Sequence, residues 1–257
     1  MASRNEICSY LDNILDLSNF PDDPSNNGLQ FEGVDDVKKA VFAVDACEAV
    51  FQAAIDLDAD FIFVHHGISW GSGIKRLQGS IAKRITLLAA NGISLYAAHL
   101  PLDANKMFGH NALIADIISL DNLVPFGDYH GQKIGFRGEL DHEMTLNDLA
   151  EFLDNEIPSD GDFKIIGEPD KKVKSIGIIS GGGAWPDLFD EIRKCNVDCL
   201  ITGEATHEVF HPAMEADTQI LTLGHYRSEI PGVIAVMNAM RERFQLDTEF
   251  IDCPTFM

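Results

Sequence analysis

From residue 37 onward the chain alternates short apolar runs of strand length with amphipathic runs of helix length, and it does so in two series. The first predicts strands at 37–45, 60–65 and 94–99, with helices at 48–57, 80–91 and 108–119. A stretch rich in Pro, Gly and Asp at 121–130 interrupts the pattern. The second series then predicts strands at 133–140, 173–180, 198–202, 219–223 and 247–251, with helices at 146–155, 185–195 and 229–243. Such alternation is the pattern of βαβ units and a parallel or mixed sheet. Ahead of it lie an amphipathic helix at 5–17 and a loop, SNFPDDPSNNGLQFEG, whose Pro, Asn and Gly content marks turns or function.

The two series echo each other. AVFAVDA, ADFIFVHHG and ISLYAAHLPLD stand in the same order and spacing as SIGIISG, VDCLITGEA and TQILTLGHYRSE, with a helix expected in each interval. Each copy ends in a strand running into His-x-x-x-acid, His99 to Asp103 and His225 to Glu229. The expected fold is α/β, with two similar lobes of mixed sheet at 1–125 and 126–257 and the C-terminal segment free to pack back on the first. A ligand site is expected in the cleft between the lobes, near strand C-terminal ends.

Charge narrows the function classes. Nineteen Lys and Arg against 41 Asp and Glu leave a net charge of −22, which repels a phosphate backbone and argues against nucleic-acid binding. An anionic ligand would need a local exception, which a divalent metal supplies. No apolar run approaches the roughly 18 residues of a membrane helix, and the N-terminus has no secretory pattern, so a cytoplasmic protein is expected. Five scattered cysteines fit a reducing compartment.

The strongest chemical signal is His65-His66-Gly67 at the exit of an apolar strand. Neighbouring strand residues point to opposite faces, so both imidazoles serve one site only if the chain turns there, which Gly67 permits. Asp103 and Glu229 add carboxylates and His225 a third imidazole. Three His and two acids suit two borderline metals such as Fe, Mn or Zn, with a carboxylate to bridge. A rival is His207-Glu208-Val209-Phe210-His211, which matches the H-E-x-x-H zinc-peptidase pattern. Pro212 follows at once and disfavours helical geometry at His211, and no convincing third ligand follows. Ser180-Gly181-Gly182-Gly183 reads as a tight turn, since it lacks the spacing of a phosphate loop. Cys195 and Cys199 read as structural thiols, and Val233, Val236, Met237 and Met240 as one packed helix face.

These residues carry a resemblance. SNNGLQFEG (25–33), FVHHG (63–67), AAHLPLDAN (97–105), ITGEA (201–205), GHYRSEIPG (224–232) and FIDCP (250–254) together resemble the dinuclear-metal-centre family. It is also called NGG-one-interacting-factor-three-like, and its members often carry the name GTP cyclohydrolase I type 2. The resemblance runs in order over nearly the whole chain, at the length of the forms without a middle insertion. It implies two α/β lobes, two metals in the cleft between them and a toroidal homohexamer. The ligands it implies fall on His65, His66, Asp103, His225 and Glu229. His99 lies in the family's His-x-x-x-Asp motif and is read as catalytic, or as a support to the ligands. Asn27, Gly28 and Gln30 match a loop that lines the cleft. Leu100, where many relatives have Thr, departs from the pattern without touching the ligand set, and His207 lies outside it.

Two functions follow as expectations. One is a dinuclear-metal hydrolase of a nucleotide or related small molecule, in which metal-activated water opens a guanine ring at C8 with loss of formate and His99 carries a proton. The other is a metal-binding or partner-binding hexamer without catalysis, which the scarcity of basic residues favours for a protein facing a triphosphate.

Overall fold

The computed structural model describes residues 2–157 and 163–256. Contacts divide the chain into two units, Met1–Leu102 with Gly232–Cys253, and Asp103–Pro231 with Pro254–Met257. In chain order the first unit contains β1 (Ala2–Ser3), α1 (Arg4–Ile14), β2 (Gly28–Phe31), β3 (Asp36–Val37), β4 (Lys39–Asp45), α2 (Glu48–Asp56), β5 (Phe61–His66), α3 (Gly79–Asn91) and β6 (Ser94–Ala97). The short α4 (Leu100–Asp103) ends on the first residue of the second unit. There follow α5 (His110–Ile117), β7 (Asp121–Tyr129), β8 (Gln132–Thr145), α6 (Leu146–Glu156), β9 (Lys164–Ile166), β10 (Lys172–Ile179), α7 (Leu188–Cys195), β11 (Cys199–Thr202), α8 (Phe210–Glu215), β12 (Gln219–Thr222) and α9 (His225–Ser228). Last come α10 (Ile230–Phe244) and β13 (Asp247–Phe250), the latter in the first unit.

In the first unit the sheet order is β13-β4-β5-β6-β2. The first four strands run parallel and β2 antiparallel at the edge. Both faces of the central strands are buried, so they read as continuous apolar runs, not alternating ones. On one face the register places Phe42, Phe63 and Tyr96 side by side, with neighbouring ring centroids 5.7 and 5.9 Å apart. Val41, Ile62 and Leu95 pack into the cluster on the other face. Helix α1 starts at a capping box, where Ser3 Oγ accepts from the Asn5 amide and the Glu6 carboxylate accepts from the Ser3 amide, both at 3.2 Å.

The second unit has the order β7-β8-β10-β11-β12-β9. Its parallel centre is β10-β11-β12, and β8 and β9 flank it antiparallel. The fold is therefore mixed α/β with mixed sheets. No helix among the described residues is long and apolar enough to cross a membrane.

Some elements depart from the sequence reading. The interruption at 121–130 is largely strand β7, paired antiparallel with a β8 that continues to Thr145. Pro125 is tolerated because β7 is an edge strand, where a missing donor breaks no interior ladder. Part of the early loop forms β2. The helix expected between β11 and β12 is a 3₁₀ turn, His207–Val209, followed by the short α8.

Candidate metal centre

The carboxyl ends of three parallel strands supply the first cluster of side chains. Asp45 closes β4, His65 and His66 close β5, and His99 follows β6 by two residues. Asp45 and His66 are register partners, and His66 Nδ1–H donates to Asp45 Oδ1 at 2.9 Å. His65 is fully buried and its Nδ1–H donates to the Ala98 carbonyl at 2.9 Å. His99 Nδ1–H donates to Asp23 Oδ1 at 2.9 Å. Each acceptor fixes the tautomer, placing the neutral ring's lone pair on Nε2. The rings of His65 and His66 lie 4.5 Å apart, and His65, His66 and His99 can each offer a ligand atom within 4.8 Å of the others.

The loop before β2 clamps this cluster. Asp23 has a fully buried side chain and accepts four hydrogen bonds, from the Ser25 and Leu100 amides, the Asn27 side chain and His99. Burial would raise its carboxyl, but the hydrogen bond and charge of His99, with Asn27 and the Ser25 amide, hold it below the usual carboxylate value. Asn27 Oδ1 accepts from the His99 amide at 2.7 Å. Gln30 Oε1 accepts from the Ile68 and Ser69 amides at 2.7 and 3.0 Å. A Cβ on residue 67 would meet Gln30 Oε1 at 2.2 Å, so Gly67 is required for the close approach of this side chain. Trp70, 39% exposed, donates its indole N–H to the Gly67 carbonyl at 2.9 Å and meets the His99 ring in a T-shaped arrangement with centroids 5.0 Å apart.

In the second unit the carboxyl ends of β10, β11 and β12 lead to Ser180-Gly181, Gly203-Glu204 and Gly224-His225. His225 Nδ1–H donates to Glu204 Oε1 at 3.0 Å, and its Nε2 lies 3.2 Å from Glu229 Oε1. Burial alone would push this imidazole down. The hydrogen bonds and charges of Glu229 and Glu204 outweigh it and raise it to about 9. Glu229 is itself only 3% exposed. Gly181 has φ +59°, and a Cβ there would meet Glu229 Oε1 at 2.2 Å. The glycine turn expected after β10 thus forms a cradle for the Glu229 carboxylate. Asp103, also buried, accepts from Ser180 Oγ at 2.7 Å, while Asn111 accepts from the Ser180 amide and donates to the Asp103 carbonyl. His110, fully buried and not singled out by the sequence, offers a ligand atom within 4.8 Å of one from Asp103.

Within the first unit the structure therefore gathers His65, His66 and His99, and within the second it pairs His225 with Glu229 and supports Asp103. The positions of the H-E-x-x-H pattern fall on two elements, His207 and Glu208 on the 3₁₀ turn and His211 on α8. They join no group of three or more potential ligands among the described residues. Sequence reasoning missed Asp23, Asp45 and Glu204, the carboxylates that orient His99, His66 and His225.

The sequence pattern of the family described as Duf34/NIF3 (NGG1p interacting factor 3) matches residues 2–255. The chain belongs to the Duf34/NIF3 family. A relative named GTP cyclohydrolase 1 type 2 homolog, from Pyrococcus horikoshii, is 42% identical over 256 residues, covering 98% of each chain. One of the same name from Archaeoglobus fulgidus is 39% identical over 250 residues, covering 97% of this chain and 98% of the relative. Among solved structures, TTHA1606 from Thermus thermophilus is similar at TM-score 0.86 and 35% identity, covering 99% of this chain and 100% of that one. The protein ybgI, described as of unknown function, is similar at TM-score 0.88 and 29% identity with the same coverage. This Duf34/NIF3 chain thus shares its mixed α/β fold with relatives along nearly its full length.

Proposed function

We propose that this protein is a metal-dependent hydrolase of a nucleotide or related small molecule, with a cyclohydrolase-like ring opening as the specific reaction. His65, His66, Asp103, His225 and Glu229 are its ligands for two divalent transition metals, of the Fe, Mn or Zn class. The observation that carries this reading is the common handling of the imidazoles. His65, His66 and His225 each donate Nδ1–H to an oxygen, from Ala98, Asp45 and Glu204 respectively. That is the outer-shell pattern of metal-binding histidines. The donor set of imidazoles and carboxylates fits borderline metals, and the cradle at Gly181 admits a carboxylate that no side chain would allow so close.

When bound, such ions polarise a substrate atom and acidify water. The chain's own residues do the rest. Glu229 would offer carboxylate oxygens to a bound ion and each imidazole one nitrogen. Ring opening of a purine needs a proton at the departing nitrogen, and His99 is the residue that supplies it. Asp23 holds its ring by Nδ1 and Asn27 holds its backbone, so Nε2 is the atom that gives or takes the proton. The names of the curated relatives support the choice of reaction. A cytoplasmic homohexamer belongs to the same proposal, with light scattering in solution as its check.

One observation favours a second reading, a metal-binding or partner-binding protein without catalysis. With a net charge of −22, the chain is poorly suited to a triphosphate. Turnover of metal-loaded protein across a panel of nucleotides and small heterocycles separates the two. The hydrolase reading expects turnover that Asp103→Ala and His99→Gln abolish. Absence of turnover with two metals bound establishes the second reading instead.

A further inference from the structure

Two cysteines far apart in sequence meet in the first unit. Strand β13 runs parallel to β4 in the register Asp247↔Lys39 to Phe250↔Phe42, and the Ile251 amide extends the pairing by donating to the Phe42 carbonyl at 2.8 Å. Continued by two residues, this path brings Cys253 beside the turn that leaves β4, where Cys47 caps α2. The Sγ atoms of Cys47 and Cys253 lie 3.9 Å apart. Both side chains are half-buried and pack on the rim of the apolar cluster that contains Val41, Val50 and Phe51.

We propose that Cys47 and Cys253 form a reversible disulfide that closes the first unit covalently. An S–S bond of about 2.05 Å requires the sulfurs to approach by roughly 2 Å, which side-chain rotation can supply while the β4–β13 ladder holds the backbones. The unit is built from two separate stretches of chain, Met1–Leu102 and Gly232–Cys253, and this bond would join them near the end of the second. It would enclose the whole Asp103–Pro231 stretch in one covalent loop, which restricts the unfolded chain more than a short loop does.

The chemistry balances with a peroxide or a small disulfide as oxidant. With hydrogen peroxide, one thiolate attacks an oxygen to give a sulfenic acid and release water. The second sulfur then attacks the sulfenic sulfur and expels a second water as the S–S bond forms. With glutathione disulfide, the first attack gives a mixed disulfide and releases one glutathione, and the second expels the other. Two thiol protons and two electrons leave the protein in either case. Burial, then Cys47 and the nearby Asp45 and Asp252, push the Cys253 thiol up to about 11, so it stays protonated near neutral pH until an oxidant engages its neighbour. Cys199 is buried and its thiol is pushed further up, which sets it apart from this half-exposed pair.

The test treats the full-length protein with glutathione disulfide, blocks remaining thiols by alkylation and maps peptides by mass spectrometry without reduction. The expected result is loss of two thiols and one linked peptide pair joining Cys47 to Cys253, reversed by dithiothreitol. Oxidation should raise the thermal midpoint of the wild type, and it should not raise that of Cys47→Ser or Cys253→Ser. Each Ser variant should instead keep glutathione on its remaining partner cysteine. A wild-type map in which Cys47 and Cys253 stay alkylatable, carry glutathione separately or pair with other cysteines overturns the proposal. The wild-type map decides even if a variant fails to fold, and it reads no metal, so it stands or falls apart from the hydrolase reading.

Discussion

In the first unit, the ends of β4, β5 and β6 assemble imidazoles, with Asp45 and Asp23 behind them as orienting acids. In the second, the ends of β10, β11 and β12 assemble one imidazole between two glutamates, with Asp103 held separately by Ser180. Both use the carboxyl edge of a parallel sheet, where α/β folds place ligands. They differ in how the groups are held. Side chains of the loop before β2 and of β2 itself, Asp23, Asn27 and Gln30, clamp the first cluster. Close-packed glycine backbone cradles the second, with Gly181 against Glu229 and Gly203 against Gly181. The first cluster should therefore be sensitive to polar side-chain changes, and the second to any added Cβ.

The largest effect is expected from Glu229→Ala. It should lower occupancy at both metal positions, by more than the roughly 100-fold carried by outer-shell partners, whereas His225→Ala should mainly empty one. Calorimetric titration with circular dichroism as the folding control checks both. Next comes Gly181→Ala, which places a Cβ in the Glu229 cradle and strains a backbone with φ +59°. A stability loss of about 1–3 kcal/mol is expected from the strain, together with weaker metal binding. Gly73→Ala is the control, because its φ of +78° is strained too but its nearest neighbours lie 3.9 Å away or more. Denaturant melts beside metal titrations should show strain in both and metal loss only in Gly181→Ala.

Asp45→Asn and Glu204→Gln each remove the charge behind one histidine. Each should weaken metal binding about 10–100-fold, and titrations of the two single variants show whether the clusters depend equally on their orienting acid. The smallest effect on metal binding is expected from Asp23→Asn, whose signature is a pH dependence. Because the folded Asp23 carboxyl is held below its unfolded value, it contributes stability above about pH 4 that disappears as pH falls through the folded value. Urea midpoints of wild type and Asp23→Asn should differ most above about pH 4 and draw together as the pH falls below it. A constant gap across that range would mean that shape, not charge, is what Asp23 supplies.

Much of this was legible in the sequence, for physical reasons that also mark where reading stops. Strands buried on both faces give continuous apolar runs, so β4, β5, β10 and β11 stand out. A histidine pair after such a run, and His225 four residues before Glu229, carry local signals of their own. Edge strands do not, since β7 has an exposed face and contains Pro125, and its sequence resembles a loop. The orienting acids are invisible for another reason. With 41 acidic residues in the chain, Asp23, Asp45 and Glu204 become distinctive only through the imidazole each one meets. Glycine at 181 reads as a turn because sequence shows a permitted conformation, not the carboxylate that needs the room.

The most direct measurement is the metal content of the full-length protein after gentle loading with Fe, Mn or Zn, read by elemental analysis beside His66→Ala and Glu229→Ala. Up to two ions per chain in the wild type, with a clear loss in each variant, is the expected outcome. A wild type that holds none, or a Glu229→Ala protein that still binds two ions as tightly as the wild type, contradicts the assignment of these residues as the metal ligands.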